Sequence, residues 1–428
     1  MPDTLVMIIF IITYALFVVF PSKRIFVSVA SAIIVFFLCL FGFKKSPIYG
    51  IDINVINIFI GTLLVSNIIA ESGVAEYIAE KIIIKIKNTK WILLVLCVVT
   101  GFLSMFLENV ATLIIVAPVA LQISKKLNIQ PTKLLFALAV SSNLQGTATL
   151  IGDPPSILLA SATGMNFLDF FFYKGKPSIF FVVELGAVSS FFVLYFIFKK
   201  QTNNSIKVQF TAKVKSWIPL YILFIKIIAL IVVSVLTSNY KTGIFLKLAG
   251  IICLVCGVFA LFVKRTILKT SVIEGIKKLD WETVLFLSSV FILVESLEIS
   301  GWINRICDFL VKIIGKNKFI IYTLFVFSAV IISGFVDNVP FFMTMIPIGK
   351  TFFDKGEMPL ELILFGLLIG TTLGGNITPT GASANIVAWG ILKKEGYKAT
   401  FLDFLKIGFP FTMAAVLPTY LLVWLLWS

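Results

Sequence analysis

SSNLQGTATLIGDPPS, residues 141–156, lies inside an apolar run yet is built of Ser, Asn, Gln, Thr and Gly with one Asp and two prolines. A helix crossing lipid must satisfy its own backbone groups. Unwound segments survive at membrane depth only where protein or a watery cavity surrounds them. Gly146 and Gly152 permit conformations closed to other residues, and Pro154 and Pro155 remove two backbone donors. The stretch predicts a transmembrane helix broken at mid-depth, presenting carbonyls, amides and hydroxyls to a small solute.

The rest of the chain fits that setting. Of its 428 residues 59% are hydrophobic and 13% charged, against about 25% charged in an average soluble domain. Many apolar runs exceed the ~18 residues of a spanning helix, and the longest polar stretches, 199–216 and 264–282, are loop-sized. Residues 4–20 lead directly into Ser22, Lys23 and Arg24 and read as a retained first span rather than a cleaved leader. The net charge of +15 reflects basic residues gathered in cytoplasmic loops, not nucleic-acid binding. Cys39, Cys97, Cys253, Cys256 and Cys307 are scattered through apolar segments. The Cys253–Cys256 spacing has no second pair and no His to complete a metal site. Without His, proton chemistry falls to carboxylates or Lys.

Spans are expected at 4–20, 26–42, 53–70, 178–198, 217–238, 244–263 and 283–299, with interfacial pieces at 73–87, 166–177 and 302–316. Segment 91–124 splits at Glu108 and Asn109 into two short arms with lysines at both mouths. It reads as a re-entrant hairpin opening to the cytoplasm, with two short spans as the alternative. The broken helix occupies 132–163. The pattern then recurs: FLENVATLIIVAP (106–118) matches FVDNVPFFMTMIP (335–347), and LQGTATLIGDPPSI (144–157) matches LGGNITPTGASANI (373–386). Both matches hold one offset of 229 residues, which signals duplication.

The domain scheme follows. Residues 1–52 are N-terminal scaffold spans. Repeat 1 is 53–198; 199–282 holds cytoplasmic loops and linking spans; and repeat 2 is 283–428, with hairpin 319–349 and broken helix 360–390. The basic loops at 199–216 (Lys199, Lys200, Lys207, Lys213, Lys215) and 264–282 (Lys264, Arg265, Lys269, Lys277, Lys278) are assigned to the cytoplasm. The halves are then inverted, hairpin two opens outside beside Lys350, Asp354, Lys355, Glu357 and Glu361, and both termini lie outside. Lys44, Lys45, Lys316 and Lys318 fall outside too, against the bias. The expected fold is an all-α polytopic membrane protein, an inverted-repeat transporter with two re-entrant hairpins, two broken helices and about ten full spans.

An inverted repeat of this kind holds its solute at the midplane, where helix ends and unwound carbonyls meet ions. The oxygens of Ser142, Asn143, Gln145, Thr147 and Thr149, and of Thr372, Asn376, Thr378, Ser383 and Asn385, suit a hard cation. A Na⁺ site is expected at Ser142, Asn143, Thr147, Asn376 and Thr378. Glu108, Asp153 and Asp337 are acids at the breaks, where charge is costly and function is the default suspicion. The alternative is that each caps a helix N-terminus, Asp153 before its prolines being the best cap by type. Lys226, Glu184, Glu295 and Glu298 lie in or near spans, and Lys226 and Glu298 can snorkel.

GTATLIGDPP after SSN, and FVDNVP with LGGNITPTGASANIV, resemble the ArsB/NhaD permease group of the ion transporter superfamily. That group includes arsenite permeases, NhaD-type Na⁺/H⁺ antiporters and the P protein; the divalent anion/sodium symporters are more distant. The resemblance implies a homodimer in the plasma membrane working by an elevator movement. Carried over by position, Asn109, Asn143, Gly146, Thr147, Thr149, Gly152 and Asp153 match the first motif. Asp337, Asn338, Gly375, Asn376, Thr378, Gly381, Ser383 and Asn385 match the second. Gln145 and Ser156 depart from it, standing where Gly and Asn are common.

The expected function is ion-coupled secondary transport of a small ion, without a cofactor, with Na⁺ or H⁺ as coupling ion. With no Arg at either break to clamp a carboxylate, Na⁺/H⁺ exchange or arsenite-type export is favoured over sodium-coupled dicarboxylate transport. A channel is the next alternative. A membrane enzyme lacks a nucleophile–base pair, and with no nucleotide loop an arsenite pump needs a separate ATPase subunit.

Overall fold

The computed structural model describes the chain except residues 1, 200, 202–212, 239–242, 270, 278, 315–316 and 357. Most of the loop at 199–216, with Lys200 and Lys207, and also Lys278, Lys316 and Glu357, therefore lie outside the described residues.

Apolar runs become helices in the expected order. The first three are α1 (Pro2–Val19), α2 (Arg24–Phe43) and α3 (Ile53–Ser72). Gly73, at φ 72°, ends α3 in a left-handed cap and turns the chain into α4 (Val74–Ile84). The first hairpin is α5 (Thr89–Ser104) and α6 (Asn109–Leu127), and the first broken helix is α7 (Thr132–Gly146) and α8 (Pro154–Thr163). Pro154 and Pro155 open α8 at the two positions where a missing N–H costs nothing. Residues 166–177 form a 3₁₀ turn and a two-stranded ribbon, β1 (Phe172–Tyr173) and β2 (Lys176–Pro177). Then come α9 (Ile179–Phe198), α10 (Ile218–Thr237), α11 (Ile244–Thr266), the short α12 (Val272–Lys277), α13 (Trp281–Ile299) and α14 (Trp302–Ile314). The second hairpin is α15 (Lys318–Ser333) and α16 (Asn338–Asp354). The second broken helix is α17 (Leu360–Gly374) and α18 (Ser383–Lys394), and α19 (Phe401–Trp427) closes the chain.

Seven of the described helices, α1, α2, α3, α9, α10, α11 and α19, are each long and apolar enough to cross a membrane; α13 passes together with α14, across a 71° bend. A count of ten requires α13 and both broken pairs to cross as well. The unwound parts are shorter than the sequence suggested. Ser141–Gly146 and Thr372–Gly374 remain helical, and only 147–153 and 375–382 leave the helix.

The offset of 229 residues reappears in the boundaries: α5 and α15, α6 and α16, and α8 and α18 begin at equivalent positions. Packing obeys the same exchange. The pair α2–α13 mirrors α11–α3, α5–α7 mirrors α15–α17, α18–α6 mirrors α16–α8, and α9 packs on its own equivalent, α19. The pairs α1–α2 and α10–α11 also correspond, extending the likeness beyond the repeat seen in the sequence. At the α3–α11 crossing the backbones nearly touch: a Cβ on Gly61 would lie 2.2 Å from the Cys253 carbonyl carbon. Small residues permit such approaches between helices that gain little from hydrophobic burial in lipid. Lys264 pairs with Glu71 at 2.5 Å across the same interface.

Candidate functional site

The hairpin tips are built by capping. Glu108 precedes α6 in extended conformation and accepts the Ala111 N–H at 2.8 Å. Asp337 does the same for α16 through the Val339 N–H at 3.1 Å. For Asp153, the best cap by type, the capping alternative fails. It stands at the cap position of α8 but makes no capping bond, and its Oδ2 accepts from Asn338 Nδ2 at 3.2 Å instead. The two prolines supply no N–H groups for a cap to bind.

The breaks are tied to the hairpins by matching bonds. Thr149 donates to the Met105 carbonyl and Thr378 to the Gly334 carbonyl, both buried. Ser104 donates to Asn109 Oδ1 at 2.6 Å and meets Ser142 Oγ at 2.8 Å, while Ser333 donates to the Thr371 carbonyl at 2.6 Å. Chain closeness explains two glycines: a Cβ on Gly146 would lie 2.2 Å from Asn109 Oδ1, and one on Gly152 2.3 Å from the Gly146 carbonyl oxygen. Gly375 and Gly381 face each other in the same way.

The two broken helices meet through Asn143. Its Nδ2 donates to Asn376 Oδ1 and to Asn385 Oδ1, each at 2.9 Å. Asn385 Nδ2 holds the carbonyls of Gly375 and Thr378, both at 2.9 Å, and Asn376 reaches back to the Val140 carbonyl at 3.3 Å. Every one of these amides is buried, where a lost partner costs about 1–3 kcal/mol.

Beside this junction is a small cavity of about 30 Å³, close to one water's share of liquid volume. It is lined by the expected Glu108, Asn109, Asn143, Asp153, Asp337, Asn338 and Ser383, and also by Arg24, Asp280 and Thr283. Ser142, Thr147, Thr149, Thr372, Asn376, Thr378 and Asn385 do not line it. Gly146, Gly152, Gly375 and Gly381 are not in its lining either, and Gln145 turns to another cavity. Of the five residues expected to hold Na⁺, only Asn143 faces this space. Thr147 donates to the Asn143 carbonyl at 3.3 Å, and Thr372, on α17, to that of Leu368 at 2.7 Å.

Arg24 overturns the expectation that no arginine reaches a break. It comes from the start of α2, far away in sequence, pairs with Asp337, donates to Ser383 Oγ at 2.9 Å, and lies 5.1 Å from the Phe286 ring centre. In the sequence it reads as one of three polar residues after the first span; only the packing of α2 on α13 carries it inward. Asp280 was equally hidden, in a basic loop. It caps α13 through Thr283. Lys226 does not snorkel: it is fully buried, with Nζ 3.4 Å from Thr62 Oγ1.

The starts of α6, α8, α13, α16 and α18 all border the cavity, and helix N-termini carry partial positive charge. Glu108, Asp280 and Asp337 each cap one of them. Asp153 is left as an acid that caps nothing, while α8 and α18 have no side-chain cap. The arrangement can bind a proton or small cation at Asp153, or a small anion at the bare N-terminus of α18; Pro154 and Pro155 leave α8 without its first two N–H groups.

Comparison with known proteins agrees with this architecture. The whole-chain fold resembles the YdaH transporter of Alcanivorax borkumensis, with TM-score 0.60, 10% identity, and 99% of this chain and 97% of that one covered. It also resembles MtrF of Neisseria gonorrhoeae, described as illuminating a class of antimetabolite efflux pumps, with TM-score 0.55, 12% identity, and 99% and 94% covered. An uncharacterised transporter of Mycobacterium tuberculosis is 28% identical over 88% of this chain and 86% of its own length. The human P protein is 25% identical over 84% of this chain, which spans 52% of that longer protein. The family described as citrate transporters matches residues 5–348 and 245–428. The chain is a multi-pass membrane protein and a transporter rather than an enzyme, and it belongs to this citrate transporter family of the ArsB/NhaD-type ion transporter superfamily.

Proposed function

We propose that the protein is an ion-coupled secondary transporter exchanging a small cation, Na⁺ being the leading candidate, for protons. One observation carries the reading. Where the two broken helices join through Asn143, Asp153 faces a cavity the size of a water molecule with no capping duty and with Asn338 as hydrogen-bond partner. An acid so placed in a membrane protein needs a proton or a cation. Asn109 and Asn143 supply further oxygens, and the hydroxyls of Ser142, Thr147 and Thr378 hold the surrounding backbone. Alternating access follows from the hairpins and broken helices, α5–α8 and α15–α18, moving the junction relative to α1–α3 and α10–α13, an elevator-type movement in a plasma-membrane homodimer. Arsenite-type export with a separate ATPase subunit uses the same site.

Transport of a small carboxylate anion is the second reading. It is favoured by Arg24, whose fork matches a carboxylate, by the bare start of α18, and by the family's description. In this conformation Arg24 is engaged by Asp337, so the anion has to displace that pair.

Proteoliposomes with an imposed pH gradient separate the readings. Saturable, uphill Na⁺ movement that disappears in Asp153→Asn is expected. Citrate accumulation under a Na⁺ or proton gradient, without independent Na⁺ exchange, supports the second reading. Non-saturating single-channel currents, or no flux of Na⁺, arsenite or citrate, overturn the proposal.

A further inference from the structure

A second cavity, about 360 Å³, lies among α5, α7, α9 and α19. Its wall is mainly apolar and aromatic, with Phe102, Phe191 and Phe411 contributing. Such a volume lies within the range of small-molecule pockets. Two polar side chains meet in it. Gln145 Nε2 donates to Glu184 Oε2 at 3.4 Å, while Gln145 Oε1 and Glu184 Oε1 are both buried with no partner. Gln145 itself is 9% exposed. Two unsatisfied acceptors side by side in an apolar wall are costly. One ligand donating two N–H bonds satisfies both.

The other repeat shows that this polarity is particular to one copy. The positions 229 residues on from Gly101, Gln145 and Glu184 are Val330, Gly374 and Met413. Large and small are exchanged. A Cβ on Gly374 would lie 2.6 Å from Val330 Cα, whereas one on Gly101 would lie 2.8 Å from Gln145 Cγ. The register is sound here, because Gly186 packs against Ala415, its equivalent at the same offset. The second repeat fills the place with backbone and Val; the first leaves an amide and a carboxyl over a void.

The geometry points to a binding site for a lipophilic ammonium ion. Its N–H groups bond Gln145 Oε1 and Glu184 Oε1, and its apolar or aromatic body fills the space beside Phe102 and Phe191. Aromatic faces add attraction for the cation, and the carboxyl group discriminates against organic anions. Because Gln145 is the penultimate residue of α7, the ligand sits directly before the break at 147–153 and bears on its position. This site is separate from the Asp153 cavity and does not depend on what that cavity carries.

The test uses purified full-length protein and three probes sharing one body: 2-phenylethylammonium, 2-phenylethanol and phenylacetate. A saturable rise in melting midpoint with the ammonium ion alone is expected. Glu184→Gln should weaken it about tenfold or more, the scale of one charge-assisted hydrogen bond. Ala187→Phe, which fills the cavity and leaves the polar pair intact, should abolish it; Glu184→Met, the residue of the other repeat, is a second carboxyl-removal variant should Glu184→Gln not fold. Equal responses to all three probes identify an apolar crevice filled by lipid and overturn the proposal. So does a wild type that responds to none, or an ammonium response unchanged in the variants.

Discussion

Arg24 and Asp337 join helix α2 to the tip of the second hairpin, and their side chains are only 18% and 9% exposed. Truncating one partner leaves the other charge poorly solvated, at a typical cost of about 3 kcal/mol or more. Arg24→Ala is therefore expected to lower the melting midpoint clearly. The double variant Arg24→Ala with Asp337→Asn should recover much of the loss, and a thermal melt of the three proteins checks this. Lys226 is the opposite case. Its ammonium is fully buried against a single hydroxyl at 3.4 Å, an unfavourable place for charge. Lys226→Met should stabilise the fold by about 1 kcal/mol or more; a marked destabilisation with loss of flux would place Lys226 in the mechanism.

Each broken helix is held by a threonine reaching back to its hairpin. Thr149 binds the Met105 carbonyl, and Thr378 binds the Gly334 carbonyl. Replacing either by Val strands a buried carbonyl, so Thr149→Val and Thr378→Val should each cost about 1–3 kcal/mol, and by similar amounts. Strongly unequal losses in denaturation would contradict the equivalence of the two breaks. Much at this scale was legible beforehand. Pro154, Pro155 and the glycines announced the interruption, and the 229-residue offset located its partner. The caps were harder. Glu108 and Asp337 do cap, and Asp153 does not: Pro154 and Pro155 have no N–H, and the next one, on Ser156, bonds the Asp153 carbonyl instead of its side chain. Arg24 and Asp280 were invisible because local pattern marks only their own helix starts; what brings them to the site is how α2 and α13 pack, which no local pattern encodes.

Across the whole molecule, helix pairings of the two halves correspond from α1–α2 to α9–α19, and the hairpins and second arms of the broken helices keep the 229-residue offset. The expected inversion, ten crossings and external termini make one claim about sidedness. A cysteine introduced at Asp3 or at Ser428 should react with a membrane-impermeant maleimide from outside intact cells; labelling only after permeabilisation would reverse the orientation, and labelling of one end alone would change the count. The central claim is that the transported ion is held where the two interrupted helices meet. Its most direct test is the melting midpoint of purified protein titrated with Na⁺, since a ligand that binds only the folded state raises it. A saturable rise is expected in the wild type, lost in both Asn143→Ala and Asn376→Ala and retained in Lys226→Met. A rise that survives both asparagine substitutions would place the ion elsewhere, and a wild type whose midpoint responds to no small ion at all would leave the junction without a ligand.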